Sequence, residues 1–347
     1  MTKRKHRPAP GLFDEDHRLQ YLSELGDPLE RLNAVVDWEI FRPIITDALQ
    51  KKAKGPGGRP RYDFVMMFKV LILQSIYDLS DEKTQFMILD RLSFQRFLGL
   101  RISDPVPDEK TVWHFRNQLA EAGIIIELFD AFQAVLGQAG LLMKTGSIID
   151  ASIVDAPKQH LRKGEKKALE EGKTPTEWKK KPSIERQRDS DATWTKKHGK
   201  SYFGYKNHIK VTREKKLIEG FEVTTASTHD SVVTGILLDE AADAGAEIYA
   251  DKAYDGEPVR GIIRAQGSKI RVQKKAPKGG TLSTYAKRIN KSYARVRARV
   301  EHVFGIMEKS LGGLHLRCIG LERAYVAIGL KNIAYNIKRY EFLTRCE

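Results

Sequence analysis

The segment TGSIIDASIVDA, Thr145 to Ala156, is where the chain changes character. Ile148 and Ile149 lead into Asp150 as a short strand-like run, and Asp150 is expected where that strand gives way to a loop. Downstream, YFGYKNHIKVT (Tyr202–Thr212) and LIEGFEVTTAS (Leu217–Ser227) flank the polar REKK and predict a hairpin. THDSVVTGILLDEAADAG (Thr228–Gly245) reads as a helix, EIYADKAYDG (Glu247–Gly256) as a short strand and turn, EPVRGIIRAQG as a helix and SKIRVQ as a strand. A long helix is expected from Ser283 to Ser310 and another from Leu321 to Phe342. Strands alternating with helices imply a mixed α/β core.

Upstream of Thr145 the pattern is helical. Asp63 can cap FVMMFKVLILQSIYDLS, whose apolar residues nearly surround it, so a central buried helix is expected. Ser80 can cap DEKTQFMILDRLSFQRFLGL, with acids in the first turn as the helix dipole prefers. PVPDEKTVWHFRNQLAEAG opens on Pro and acids and stops at Gly123, and residues 124–142 read as one more helix. These helices suit either a small DNA-binding module or a plain bundle. Residues 1–62 read as an N-terminal arm. It includes the loop KKAKGPGGRPRYD, where Gly and Pro prevent a helix and Lys51, Lys52, Lys54, Arg59 and Arg61 form a clamp for a polyanion or a solvated linker. The expected divisions are therefore 1–62, a helical domain at 63–142, and an α/β domain at 143–347. Residues 158–200, with 14 cations against 7 acids, form a polar insertion inside the last.

With 347 residues, 41% hydrophobic and 30% charged, the chain can build a core; disorder, collagen-like repeats and disulfide scaffolds are excluded. The two cysteines, Cys318 and Cys346, fit no zinc spacing and suit free thiols in a reducing compartment. The basic start MTKRKHRPAP is followed by no apolar stretch, and the longest apolar run, FVMMFKVLILQSIY, falls short of the roughly 20 residues a membrane span needs. A cytoplasmic location is expected. The net charge of +15 points toward a polyanion, nucleic acid first.

From residue 258 to 300 there are 13 Lys or Arg and no Asp or Glu; the first acid is Glu301, in RVRARVEHVFG. Arg297 stands at i−4, with Arg295 and Arg299 beside it. A helix salt bridge accounts for Arg297 and Glu301 at a few tenths of a kcal/mol, but not for the missing acids around them. Asp150 and Asp251 each follow a strand-like run, where a turn former is the ordinary reading and a site the alternative. Three carboxylates amid cations suit Mg²⁺ or Mn²⁺, which are hard, oxygen-seeking ions. Two such ions about 4 Å apart can drive phosphoryl transfer on nucleic acid. No GxxxxGK[ST], HExxH or CxxC pattern occurs.

Four blocks in order carry a family resemblance: GSIIDASIVDAP around Asp150, YFGYKNHIKVT, STHDS with YADKAYDG around Asp251, and RARVEHVFGIMEK around Glu301. The chain resembles the DDE transposases of bacterial insertion sequences, of the insertion-sequence-five group, and FRPIITDAL through RFLGL is similar to their N-terminal helical region. The resemblance implies an RNase H-like catalytic core, a mixed sheet flanked by helices, with an N-terminal all-α DNA-binding domain. It implies two Mg²⁺ or Mn²⁺ ions, with Asp150 bridging them and Asp251 and Glu301 each holding one. It also implies cleavage at terminal inverted repeats, 3′-hydroxyl strand transfer into target DNA, a homodimer and a nucleoid-associated protein. Arg297 and Lys309 would grip phosphates, and the Lys51–Arg61 loop would recognise terminal repeats.

Relatives often show Tyr, two residues, Arg, three residues, Glu, six residues, Lys. Arg297 and Glu301 match, but Ala294 occupies the Tyr position, with Tyr293 one residue early, and Glu308 the Lys position, with Lys309 one residue late. Lys206, Lys252 and His208 are candidate DNA contacts or supports for the acids, solvated surface being the alternative; His302 is expected to pack in the core. A transposase-derived DNA binder without catalysis, and an RNase H-like nuclease without strand transfer, remain the competing readings.

Overall fold

The computed structural model describes residues 11, 13–50, 60–142, 145–157, 162–171, 173, 175–181, 183, 186–197 and 199–345. Eight helices precede the first strand: α1 (Asp14–Glu24), α2 (Pro28–Val35), α3 (Arg42–Leu49), α4 (Phe64–Tyr77), α5 (Asp81–Asp90), α6 (Leu92–Leu98), α7 (Glu109–Ala122) and α8 (Ile125–Gln138). The stretch read as an arm thus holds three helices, and Leu29, Leu32, Phe41 and Ile45 bury their side chains. α4 is buried nearly all round, and Asp63 caps it by accepting the Met66 N–H at 2.9 Å.

One expected helix is two. At Arg91 the backbone turns extended (φ −108°, ψ 113°), separating α5 from α6. The Gln95 amide donates to the carbonyls of Ile88 and Leu89, which the break leaves without helical partners.

The sheet runs β2 (Thr193–Lys197), β3 (Lys200–Thr212), β1 (Ser147–Asp155), β5 (Glu247–Ala250) and β6 (Lys269–Val272); β4 (Ile218–Thr225) also pairs β3. β3 is antiparallel to β1, β2 and β4, while β5 and β6 run parallel to β1. The hairpin is as expected. β2, by contrast, comes from the polar insertion, which also supplies α9 (Lys163–Glu170) and α10 (Thr176–Lys180). Gly204 lets β3 approach β1: a Cβ there would lie 2.1 Å from the Val154 carbonyl oxygen.

Three helices follow the hairpin: α11 (Thr234–Leu237), α12 (Glu240–Asp243) and α13 (Glu257–Ala265). The helix expected over Thr228–Gly245 is thus a 3₁₀ turn, Asp230–Val233, plus two one-turn helices. Leu238 is extended, and Asp239 restarts the chain by accepting the Ala242 N–H. α14 (Thr284–Lys309) is capped by Ser283, and α15 (Leu321–Thr344) closes the fold.

α15 packs on α4, α7 and α8 on one side and on β4 on the other, so one apolar core runs from the N-terminal helices to the sheet. A second, smaller core, with Ile149, Ile248, Tyr254, Val259 and Ile263, lies under the opposite sheet face. A mixed sheet of this order with helices on both faces is an RNase H-like core, and the N-terminal region is helical. Among the described residues no helix is long and apolar enough to cross a membrane.

Candidate active site

The parallel register of β1 and β5 pairs Ser147 with Ile248 and Ile148 with Tyr249. Continued by two residues, it sets Asp150 level with Asp251. Asp251 directly follows β5, as expected of a strand end. Asp150 does not end its strand: β1 runs on to Asp155, paired only with β3 beyond the point where β5 leaves it. The crevice opens where the strands part.

Side chains alternate along strands, so Ile148 and Asp150 share one face of β1. α14 covers that face. Tyr293, Arg297 and Glu301 recur every fourth residue and so line one side of this helix. Tyr293 packs edge-on against Tyr249, with ring centroids 5.7 Å apart. One turn on, Arg297 Nη2 donates to Asp150 Oδ2 at 2.7 Å. A further turn on, Glu301 Oε1 lies 3.9 Å from the same nitrogen, its side chain 68% exposed. Tyr293 therefore occupies the start of the signature face, while Ala294 is exposed.

Asp150 is deeply buried. Desolvation raises its carboxyl above the ordinary range and outweighs the attraction of Arg297; Asp251 adds to the rise. Asp251 Oδ1 caps the 3₁₀ turn Lys252–Tyr254 by accepting the Ala253 N–H at 2.6 Å. Among the described residues no three His, Cys, Asp or Glu side chains stand close enough to share a metal ion, so Asp150, Asp251 and Glu301 do not form one closed cage. Arg297 supplies the reason: its guanidinium occupies the space between Asp150 and Glu301 as their counter-charge. The donor set itself, all carboxylate oxygen around a position where a cation already sits, fits a hard divalent ion.

The other candidates are spread around this centre. Lys206 Nζ meets Asp230 Oδ1 at 2.8 Å and the Thr228 carbonyl at 2.6 Å. His208 Nε2 lies 2.8 Å from Thr224 Oγ1, and burial lowers its pKa to about 4, so it is neutral at pH 7. Lys252 and Arg295 are exposed, as is Lys309 at the end of α14. Arg299 is turned away, donating to the Arg213 carbonyl at 2.6 Å. His302 is exposed against Lys216 rather than packed in the core. Arg61 donates to the Leu49 carbonyl at 3.1 Å, whereas Lys51, Lys52, Lys54 and Arg59 lie outside the described residues, as does Cys346. Cys318 is a free thiol pushed up to about 11 by burial.

Two further residues belong here. Asp230 opens the 3₁₀ turn that packs against the Lys252–Tyr254 turn. Tyr254 is 1% exposed; burial first, then Asp150, Asp230 and Asp251, push its phenol well above the ordinary value. The motifs STHDS and DKAYDG contain both, but a turn-forming Asp and an apolar-looking Tyr give no local signal of function.

The family model described as "Transposase DDE domain" matches residues 142–337, and "Transposase domain (DUF772)" matches residues 17–118. The chain belongs to the DDE transposases. It is accordingly an enzyme acting on DNA, in a family that depends on divalent metal. The two matches divide the molecule between the N-terminal helices and the sheet with α14 and α15. No solved structure matches this transposase.

Proposed function

We propose that this transposase cleaves DNA at the terminal inverted repeats of its insertion sequence and joins the freed 3′-hydroxyl to target DNA. The observation that carries this reading is the meeting of Asp150, Asp251 and Arg297 across β1, β5 and α14, with Glu301 one turn on. Asp150, Asp251 and Glu301 are the residues that would hold two Mg²⁺ or Mn²⁺ ions, Asp150 shared between them. Bound there, the ions would activate the attacking oxygen and stabilise the leaving one.

The chain's own residues set the order of events. Arg297 neutralises Asp150 in the free protein. A phosphodiester entering the crevice competes for its guanidinium, because phosphate accepts the same bidentate hydrogen bonds. Arg297 then grips phosphate and Asp150 becomes available. In the first step water forms a bond to phosphorus, the P–O3′ bond breaks and the 3′-oxygen leaves as a hydroxyl. In the second that hydroxyl attacks a target phosphorus, loses its proton to solvent, and displaces a target 3′-oxygen.

Lys206, Lys252, Arg295, Arg299 and Lys309, with the Lys51–Arg61 loop, are proposed DNA contacts. Lys206 and Arg299 must exchange their present partners to serve. Arm (1–62), helical domain (63–142) and catalytic domain (143–347) are proposed as functional divisions, the first two reading the terminal repeats. Joining two ends calls for a dimer, and membership of the insertion-sequence-five group is part of the same reading.

The test uses the full chain, Mg²⁺ or Mn²⁺ and DNA bearing the terminal repeats. Asp150→Asn, Asp251→Asn and Glu301→Gln should each abolish cleavage while DNA binding persists. Full cleavage by any one removes that residue as a ligand. Efficient cutting without joined products selects the nuclease. Binding should weaken by about 10³-fold or more between 50 and 200 mM salt if six or more phosphates are contacted.

A further inference from the structure

The phenol of Tyr254 is buried beside the carboxylates and has no hydrogen-bond partner. A phenylalanine would fill the same apolar pocket of Ile149, Ile248, Ala250 and Val259 without that defect. Leaving a buried hydroxyl unpaired costs roughly 1–3 kcal/mol, a cost expected only where the group is used. The ring is held firmly: Asp251 caps its turn, and Asp255 fastens the next residues by accepting from Arg260 and from the Lys275 N–H. Its hydroxyl stands in the field of Asp150, Asp230 and Asp251, so it keeps its proton at neutral pH and can only donate to them.

Asp150 has donors at present. Ala151 N–H serves Oδ1 and Arg297 serves Oδ2. If Arg297 turns to DNA phosphate, Oδ2 loses its donor inside a buried site. We propose that Tyr254 is a positioning residue whose hydroxyl then donates to Asp150 and fixes the carboxylate's orientation for its cation. The inference rests on the reading of Asp150 as a metal ligand.

The experiment compares wild type with Tyr254→Phe, using the full chain without DNA. Thermal midpoints are measured without metal, and Mn²⁺ binding by calorimetry; Asp150→Asn is the control for the site. The expected result is a midpoint unchanged or raised by about 2 °C with Mn²⁺ affinity about 10-fold weaker, in the range a group supporting a ligand contributes. In an Arg297→Gln background, where Asp150 already lacks its partner, the Mn²⁺ effect of Tyr254→Phe should be larger. An unchanged Mn²⁺ affinity overturns the proposal. So does a lowered midpoint, which would mean the hydroxyl already has a partner. If Asp150→Asn binds Mn²⁺ as well as wild type does, the site reading itself fails; if it does not, and Tyr254→Phe binds normally, only the role of Tyr254 fails.

Discussion

Two ion pairs are buried against the central strands, and they are closed to different degrees. Lys210 reaches Asp243 at 2.7 Å with side chains 6% and 3% exposed, and Asp243 also accepts the Asp239 N–H. Glu219 stands 3.9 Å away as a further countercharge. Arg297 and Asp150 meet at the same distance, 2.7 Å, but are 18% and 16% exposed, and the Arg297 Nε is left without a partner. One pair ties β3 to α12 and has all it needs. The other has an unfilled donor, an exposed acid a turn away and an unpaired phenol nearby. Incomplete satisfaction separates a working site from a structural bridge of the same chemistry.

The largest expected effects test that separation. Asp243→Asn strands a buried ammonium and should cost about 3–5 kcal/mol in urea unfolding, while cleavage per folded molecule stays within about twofold. Asp150→Asn should do the reverse. Burial already disfavours the charged carboxyl, so the amide should leave stability unchanged or higher, with cleavage down on the order of 10³-fold. If both variants lose stability alike and cleave alike, the two pairs are one kind of feature.

Lys331 sharpens the contrast as a buried cation held by carbonyls. It donates to Leu311 at 2.6 Å and to Ser75 at 2.9 Å, and desolvation lowers its pKa to about 8. The folded value lies below the unfolded one of about 10.5, so the unfolded chain binds more protons between pH 8 and 10.5. Stability should therefore rise across that window, by at most roughly 3 kcal/mol, and the penalty should be fully present below pH 8. Lys331→Met should flatten this rise in chemical melts at fixed ionic strength; an equally steep rise in the variant removes Lys331 as its source.

Local chemistry made much of the fold legible. Asp63, Ser80 and Ser283 start helices where their side chains suggest, and Gly123 stops α7 with φ 69°. The break at Arg91 was hidden because Gln95, which satisfies the freed carbonyls, looks like any surface amide. β2 was hidden because TWTKK has no apolar alternation and pairs only because β3 offers an edge. Asp150 was misplaced to a strand end because the strand's second half, Ala151–Asp155, is half-buried and weakly patterned. The three acids could be named from their blocks. Their mutual geometry could not, since the Arg297–Asp150 contact joins residues 147 apart.

Arg297→Gln carries the comparison into the site. Losing the phosphate grip should lower cleavage by about 100-fold, yet freeing Asp150 should strengthen Mn²⁺ binding several-fold in the absence of DNA. Opposite signs in two assays are the signature of a latch. A parallel loss of both would make Arg297 a plain structural partner of Asp150.

The smallest effect belongs to the neighbour of Glu301. His302 lies on the solvent side of α14, its Nδ1 3.2 Å from the exposed Lys216 amine. Removing it strands no buried group and leaves the Tyr293–Arg297–Glu301 face untouched. An exposed contact of this kind is worth well under 1 kcal/mol. His302→Ala should therefore stay within about 0.5 kcal/mol of wild type in unfolding and cleave at the wild-type rate. A substantial loss of cleavage at unchanged stability would mean that α14 turns on binding DNA and brings this side to the phosphates, and the helix face inferred from the Arg297–Asp150 pair would have to be redrawn.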